Sequence, residues 1–303
     1  MRFKIELAKF FMNLIPSEPV YLKDKLSETI NHKNFINLSQ EKKDSILLSM
    51  AEMQFQGYQL HPFDRFFPNY NLKEMISNKT VLDLGCWCGG MAVSVAERWC
   101  VREMFGIDIN DNFIRAANMF ASKRNDCIKY KFQVGFGESL PYEDNFFDVI
   151  VNSDVLEHVK SVKNTLEECK RVIKPGGMIL SVFPSYYEPF NNGHFSLVTK
   201  TPCLNWIFDA ETLNCAYDEI LESRGSDADW YKSEKSKMGW AKLHGGIGIN
   251  GTTMSNFKSI IKNVGFSQIH IIPNHLLAFR YPSTKYLSQL FACDFLQDRI
   301  SCR

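Results

Sequence analysis

The sequence predicts an α/β fold: a mostly parallel sheet flanked by helices, with a helical extension before it and an insert ahead of its last strands. Three observations carry that prediction. Five short β-rich runs alternate with amphipathic stretches between residues 80 and 184. The first run ends in an acidic residue and turns through glycines into a helical pattern. Regular patterning then lapses over an aromatic-rich stretch and recovers near residue 254. Strands separated by helical patterns indicate β-α-β units, whose crossovers make neighbouring strands parallel.

Residues 1–78 are helix-like and polar, with no clear strand run before Thr80. The β-rich runs are Val81–Leu84, Met104–Ile107, Tyr130–Val134, Val149–Asn152 and Met178–Phe183. Between the first two, Ala92, Val95, Ala96 and Trp99 recur at i, i+3, i+4 and i+7, one face of a helix. Val159, Val162, Leu166, Cys169 and Ile173 form a second stripe, which Pro175-Gly176-Gly177 is expected to stop before the next strand opens. Residues 185–250 read as irregular, rich in Tyr, Phe, Trp, Asn and Gly, and long enough to suggest an ordered lid. A helix over Ser255–Val264, a strand over Phe266–Ile272 and a further apolar run at Leu276–Phe279 predict a closing antiparallel edge.

Composition narrows the function classes. The chain has 303 residues, 45% hydrophobic and 23% charged, enough for a core without disulfide or metal staples. Basic and acidic residues nearly cancel, 35 against 34, for a net charge of +1. A duplex-binding protein would carry a basic footprint, so nucleic acid is not expected as a partner. The nine cysteines show no framework or zinc spacing and read as reduced thiols. The apolar patch at Phe10, Phe11 and Met12 is too short for a signal peptide, and no run reaches the length of a membrane span. The expectation is a soluble, cytoplasmic chain without a membrane partner. The N-terminal helices and the aromatic insert leave a homo-oligomer open.

The strongest local signal is Val81-Leu82-Asp83-Leu84-Gly85-Cys86-Trp87-Cys88-Gly89-Gly90. A buried strand ending in such a turn lets ligand atoms approach bare backbone, with free N–H groups aimed from the helix N-terminus. Asp108 closes the next strand, and a carboxylate placed there can accept both vicinal hydroxyls of a ribose. Together they suggest a nucleoside-type ligand across the carboxyl ends of the first two strands. A dinucleotide needs glycine where its pyrophosphate meets backbone, and Trp87 occupies that place.

Further segments extend the pattern: Gly135-Phe136-Gly137-Glu138-Ser139-Leu140-Pro141-Tyr142, then Phe147 through Val159 with its Leu156-Glu157-His158 run, then Arg171-Val172-Ile173-Lys174-Pro175-Gly176-Gly177. With the glycine-rich run and Asp108, these stand in the order and spacing of the class I S-adenosylmethionine-dependent methyltransferases. Over about residues 78–184 the chain resembles that family, particularly its small-molecule members with a type 11-like domain. The resemblance implies a Rossmann-like, seven-stranded, mostly parallel sheet with S-adenosyl-L-methionine at the carboxyl ends of its strands. It implies a cofactor site of Asp83, Gly85, Cys86, Trp87, Gly89, Asp108, Ile109, Phe136, Gly137, Glu138 and Ser153. Asp83 and Gly85 would lie near the methionine part, Asp108 on the ribose, Ile109 on the adenine, Gly137 and Glu138 at its border, and Ser153 on the methionine side. Two positions depart from the family: Trp87 stands for its usual glycine, and Phe136 for its usual acidic residue. Phe136 could instead stack on the adenine. The implied organisation is a helical extension or lid (1–78), a cofactor-binding core (79–184), an insert forming a substrate cap (185–253) and the rest of the core (254–303).

Methyl transfer needs acceptor, methyl and sulfur held in line, and a hydroxyl acceptor also needs a base with a pKa near working pH. His194, in the Gly/Asn-rich loop after the fifth strand run, is the first candidate; His244 and His158 are alternatives, and His61 could close the pocket from the other side. The stretch Tyr186–Trp206 resembles inserts of methyltransferases that act on sugars and polyketide-type metabolites. No His/Asp/Glu cluster shows metal-ligand spacing, so transfer is expected to be metal-independent. The reading is O-methylation of a small molecule such as a sugar, a glycan precursor or a secondary metabolite. Transfer to nitrogen or carbon, and cofactor binding without catalysis, stay open as alternatives.

Overall fold

A computed structural model describes residues 1–16, 38–124, 127–184, 186, 195, 198–223, 250–273 and 298–302. Helices α1 (Arg2–Met12), α2 (Gln40–Leu60) and α3 (Leu72–Ile76) precede β1 (Thr80–Leu84). The alternation continues through α4 (Gly90–Arg98), β2 (Glu103–Asp108), α5 (Asp111–Ala121), β3 (Lys129–Val134), β4 (Phe147–Ser153), α6 (Val162–Val172) and β5 (Ile173–Phe183). Helices α7 (Leu204–Ile207), α8 (Ala210–Ser223) and α9 (Met254–Val264) then lead to β6 (Ile269–Pro273) and β7 (Asp298–Cys302). No described helix is long and apolar enough to cross a membrane.

The sheet order is β3-β2-β1-β4-β5-β7-β6. Strands β1 to β5 run parallel, and β7 pairs antiparallel with both β5 and β6. The parallel part therefore has five strands, and the other two extend the sheet past β5. Strand β1 is buried at every residue, as a strand covered on both faces must be. Its register sets Asp83 beside Gly106 of β2 and Val151 of β4. Chain order reverses between β1 and β4, and such a switch point opens a crevice at the carboxyl ends of the strands. Side chains start two helices: Asn110 accepts from the Asn112 N–H at 3.0 Å, and Ser161 from the Asn164 N–H at 3.2 Å. Caps of this kind contribute about 1 kcal/mol each.

Three local expectations meet a different outcome, and a fourth rests on residues outside those described. The stripe from Val159 to Ile173 is helical only over Val162–Val172; Ile173 already belongs to β5, and Pro175-Gly176-Gly177 lies inside that strand, where the register shifts between Phe147 and Val149. Proline pushes the residue before it into extended backbone, and Gly176 takes φ +77°. Part of the stretch read as irregular is regular: α8 buries Leu213, Ala216, Tyr217 and Ile220 at helical spacing. The late strand begins at Ile269, while Phe266 packs against the core as a side chain. The antiparallel partner of β6 is Asp298–Cys302; Leu276–Phe279 lies outside the described residues.

Two compact units emerge, and they cut the chain differently from its linear pattern. The sheet unit comprises residues 40–183, 257–274 and 298–303 and so takes in α2 and α3; the other comprises 1–39, 184–256 and 275–297. In the second unit, Ile5, Ala8 and Met12 of α1 pack with Leu204, Phe208, Leu213 and Tyr217. Burying an aliphatic or aromatic side chain fully contributes about 1.5–3 kcal/mol. In the sheet unit the core joins Leu82, Phe105, Phe147, Ile150 and Ile179 to Leu166 of α6 and Phe257 and Ile261 of α9. Helix α2 lies on α4 and α5. Asp44 pairs with Arg115 at 2.7 Å and Glu52 with Arg124 at 2.6 Å, and the Arg124 guanidinium lies over the rings of Phe55 and Phe120. The backbones come so close that a Cβ at Gly90 would lie 2.3 Å from the Ala51 carbonyl oxygen. Gln54 Oε1 accepts from the Met91 N–H at 3.1 Å, so α2 satisfies one of the exposed amides at the start of α4.

Candidate functional site

The carboxyl ends of β1, β2 and β4 converge on the turn between β1 and α4. Gly85 there has φ +73°, and its amide and that of Cys86 both donate to the Ile107 carbonyl, at 2.8 and 3.0 Å. Only a residue without a side chain fits: a Cβ at Gly85 would lie 2.4 Å from Cγ2 of Val155, in the connection after β4. Gly89, with φ +81°, caps α4.

Trp87 is left-handed too, at φ 48°. This explains the glycine common at that place, since a side chain in this conformation costs about 1–2 kcal/mol. Its half-buried ring meets Phe113 of α5 edge-on, with centroids 5.9 Å apart. Asp108 fixes the backbone beneath it: one carboxylate oxygen accepts from the Trp87 N–H at 3.1 Å, the other from the Asn110 N–H at 3.0 Å. One side chain thus holds the turn after β1 and the start of α5 together.

Asp83 is fully buried, and neither carboxylate oxygen has a hydrogen-bond partner among the described residues. Burial, and then the like charge of Asp108, push its carboxyl well above the usual carboxylate range. Burial and the same carboxylates raise the thiol of Cys86, which stays protonated beneath the turn. An unsatisfied buried carboxylate is costly in isolation, and its presence at a switch-point crevice fits a site for a ligand carrying positive charge. An S-adenosylmethionine zwitterion with a sulfonium has that character.

The structure brings most of the sequence-derived candidates into this one region. Ile109 is half-buried beside Asp108. The segment after β3 is tied in through the Gly135 N–H, which donates to the Asp108 carbonyl at 3.0 Å. Phe136 bridges to Ser139 and is 54% exposed. Gly137 packs near Thr165 of α6, and Glu138 accepts from the Ser161 N–H at 3.1 Å, so its carboxylate already serves the start of α6. Ser153 ends β4. His158 lies in the turn before α6, with Nε2 3.8 Å from Glu157 Oε1. His61 is exposed just past α2. His194 and His244 lie outside the described residues. Sequence reasoning missed Tyr58 of α2, whose hydroxyl donates to Ser153 Oγ at 3.3 Å. No motif marks it, because only the packing of α2 on α4 carries it there.

Comparison with known proteins agrees with this geometry. Residues 82–181 match the sequence profile of a methyltransferase domain. The chain is 28% identical over 168 residues to a sterol 24-C-methyltransferase of Pneumocystis carinii, covering 50% of this chain and 44% of that protein. It is 25% identical over 207 residues to a ubiquinone biosynthesis O-methyltransferase of Nitrosospira multiformis, covering 68% and 77%. The chain therefore spans less than half the length of the sterol enzyme. The fold is shared with phosphoethanolamine N-methyltransferase 2 of Haemonchus contortus, solved with S-adenosyl-L-methionine, at a TM-score of 0.51 and 15% identity, covering 87% of this chain and 57% of that one. From the parallel sheet, the glycine turn and the matched profile together, residues 82–181 of this chain carry a methyltransferase domain.

Proposed function

We propose that this chain transfers a methyl group from S-adenosylmethionine to a hydroxyl of a small molecule, without a metal. The observation that carries the reading is the pairing, at one crevice, of a buried carboxylate without a hydrogen-bond partner among the described residues (Asp83) and a carboxylate fixed by two backbone amides (Asp108). The cofactor supplies an activated methyl on a positively charged sulfur. Asp108 would receive the ribose hydroxyls, the Gly85–Gly89 turn would let the ligand reach backbone, and Asp83 would offset its positive charge. Ile109, Phe136 and Gly137 would border the adenine.

The choice of oxygen rests on two supports. The Nitrosospira multiformis relative, aligned over most of both chains, is an O-methyltransferase. The Gly/Asn-rich segment carrying His194 follows β5 in the chain and can supply a base for the hydroxyl proton. Residues 185–253 are assigned acceptor selection on their place in the chain order.

Calorimetry with S-adenosylmethionine and S-adenosylhomocysteine tests the core of the proposal. The wild-type protein binds both, Asp108→Ala binds neither, and His194→Ala binds both while S-adenosylhomocysteine formation on hydroxylated acceptors falls at least about a hundredfold, the smaller end of what a positioned base contributes, about 10²–10⁴-fold. Absence of heat with folded wild type removes the cofactor assignment. Full turnover of hydroxylated acceptors by His194→Ala removes that histidine as the base, and turnover by wild type of amine acceptors in place of hydroxylated ones moves the acceptor to nitrogen.

A further inference from the structure

Helix α2 brings one polar group to the carboxyl edge of the sheet that no family motif covers. The Tyr58 hydroxyl donates to Ser153 Oγ at 3.3 Å, and the Ser153 hydroxyl donates onward to Asp154 Oδ2 at 3.2 Å. Both protons are committed along this relay. A phenol has one proton to give, so the capacity left at the Tyr58 oxygen is that of an acceptor. Arg65 lies over the ring of Tyr58, 5.5 Å from its centroid.

The surroundings decide what such an acceptor can receive. Burial first, with the charges of Asp154 and Asp83 against the opposing effect of Arg65, raises the Tyr58 phenol to about 12, so it stays neutral and is no base near neutral pH. Asp83 stands beside Val151 in the sheet, two residues before Ser153, and is itself fully buried, with neither carboxylate oxygen hydrogen-bonded among the described residues. A neutral acceptor near a buried carboxyl that a neighbouring cation would hold ionised suits a cationic donor of several hydrogens, which describes an ammonium group. Anions and aromatic ring edges answer neither group.

We propose that Tyr58 is a cofactor-positioning residue: its phenolic oxygen accepts a hydrogen bond from the α-ammonium of the methionine part of the cofactor, alongside Asp83. The proposal rests on the S-adenosylmethionine reading above. It makes α2, which contains no recognisable motif, part of the cofactor site. It also assigns the Tyr58–Ser153 bond the task of aiming the phenolic oxygen.

Two ligands separate this role from a merely structural one. S-adenosylhomocysteine keeps the amino-acid part, and 5′-methylthioadenosine keeps adenosine and thioether without it. In calorimetry, Tyr58→Phe should weaken S-adenosylhomocysteine about tenfold, about 1.4 kcal/mol, and leave 5′-methylthioadenosine within about twofold of wild type, the thermal midpoint serving as the check on folding. Equal weakening of both ligands would make Tyr58 a packing residue of α2, and unchanged affinity for S-adenosylhomocysteine would likewise overturn the proposal. If wild type bound neither ligand, the cofactor assignment itself would fall, an outcome distinct from either of these.

Discussion

Alanine at position 85 tests whether the glycine turn is held shut by the connection after β4. The residue sits at φ +73°, and an added Cβ would lie 2.4 Å from Val155 Cγ2 and 3.0 Å from Cγ1. The left-handed backbone alone costs a side chain about 1–2 kcal/mol. Crowding against a packed neighbour adds about 1–3 kcal/mol. Gly85→Ala should therefore lose about 2–5 kcal/mol, with a thermal midpoint lowered by about 2–4 °C per kcal/mol for a domain of this size. Gly176 supplies the internal control: its φ is +77°, and nothing lies within 4 Å of its would-be Cβ. Gly176→Ala should show the backbone part alone, about 1–2 kcal/mol. Val155→Ala removes both clashing methyls, leaving Val155 Cβ at 3.3 Å. The double variant should thus be more stable than the sum of its single changes by about 2 kcal/mol, since contacting residues couple. Urea denaturation followed by circular dichroism measures all four proteins. Additive losses in the double variant, or equal losses for Gly85→Ala and Gly176→Ala, would refute the steric account.

The remaining predictions concern charge. Because the folded-state pKa of Asp83 is raised, wild type loses stability as pH climbs from the ordinary carboxylate range, about 4, toward that raised value, while Asp83→Asn lacks this slope. The variant should accordingly gain on wild type as pH rises above the ordinary carboxylate range, about 4, seen as diverging urea midpoints; wild type gaining on the variant would contradict the buried carboxylate. Arg171 donates to both oxygens of Glu168, to Asp144 and to the carbonyls of Leu140 and Tyr142, fastening the segment after β3 to α6. Arg171→Ala should lose about 2–3 kcal/mol in the same assay. Arg171→Lys should recover less than half of that, because an ammonium cannot reproduce the guanidinium fork; full recovery would reduce the network to a point charge.

The parallel strands were legible because each is a short apolar run followed by a helical stripe, and Leu82, Phe105 and Ile150 became core residues as that pattern requires. The glycine turn was legible for a similar reason, as positive φ and close approach leave a compositional mark. Elsewhere the determinants are non-local. Strand β7 reads Asp-Arg-Ile-Ser-Cys, with little apolar character, and is a strand through its pairing with β5 and β6. Helix α8 hides its stripe behind Asn214, Cys215 and Asp218, and finds its partner in α1, about two hundred residues earlier in a chain of 303. Pro175-Gly176-Gly177 was misplaced because helix-breaking and strand-bulging residues have the same composition. Tyr58 was invisible for the plainest reason, since a tyrosine in a polar helix carries no periodic signature.

The bond from Gln54 to the Met91 amide has a consequence for where this domain can be cut. The matched profile begins at residue 82, which invites truncation just before β1. A piece so trimmed would leave the Met91 amide uncapped, bare the tight seam around Gly90, and strip Phe55 from Phe120 and Arg124. The sheet unit accordingly begins at Gln40, and expression boundaries drawn from motif recognition alone would cut into its packing.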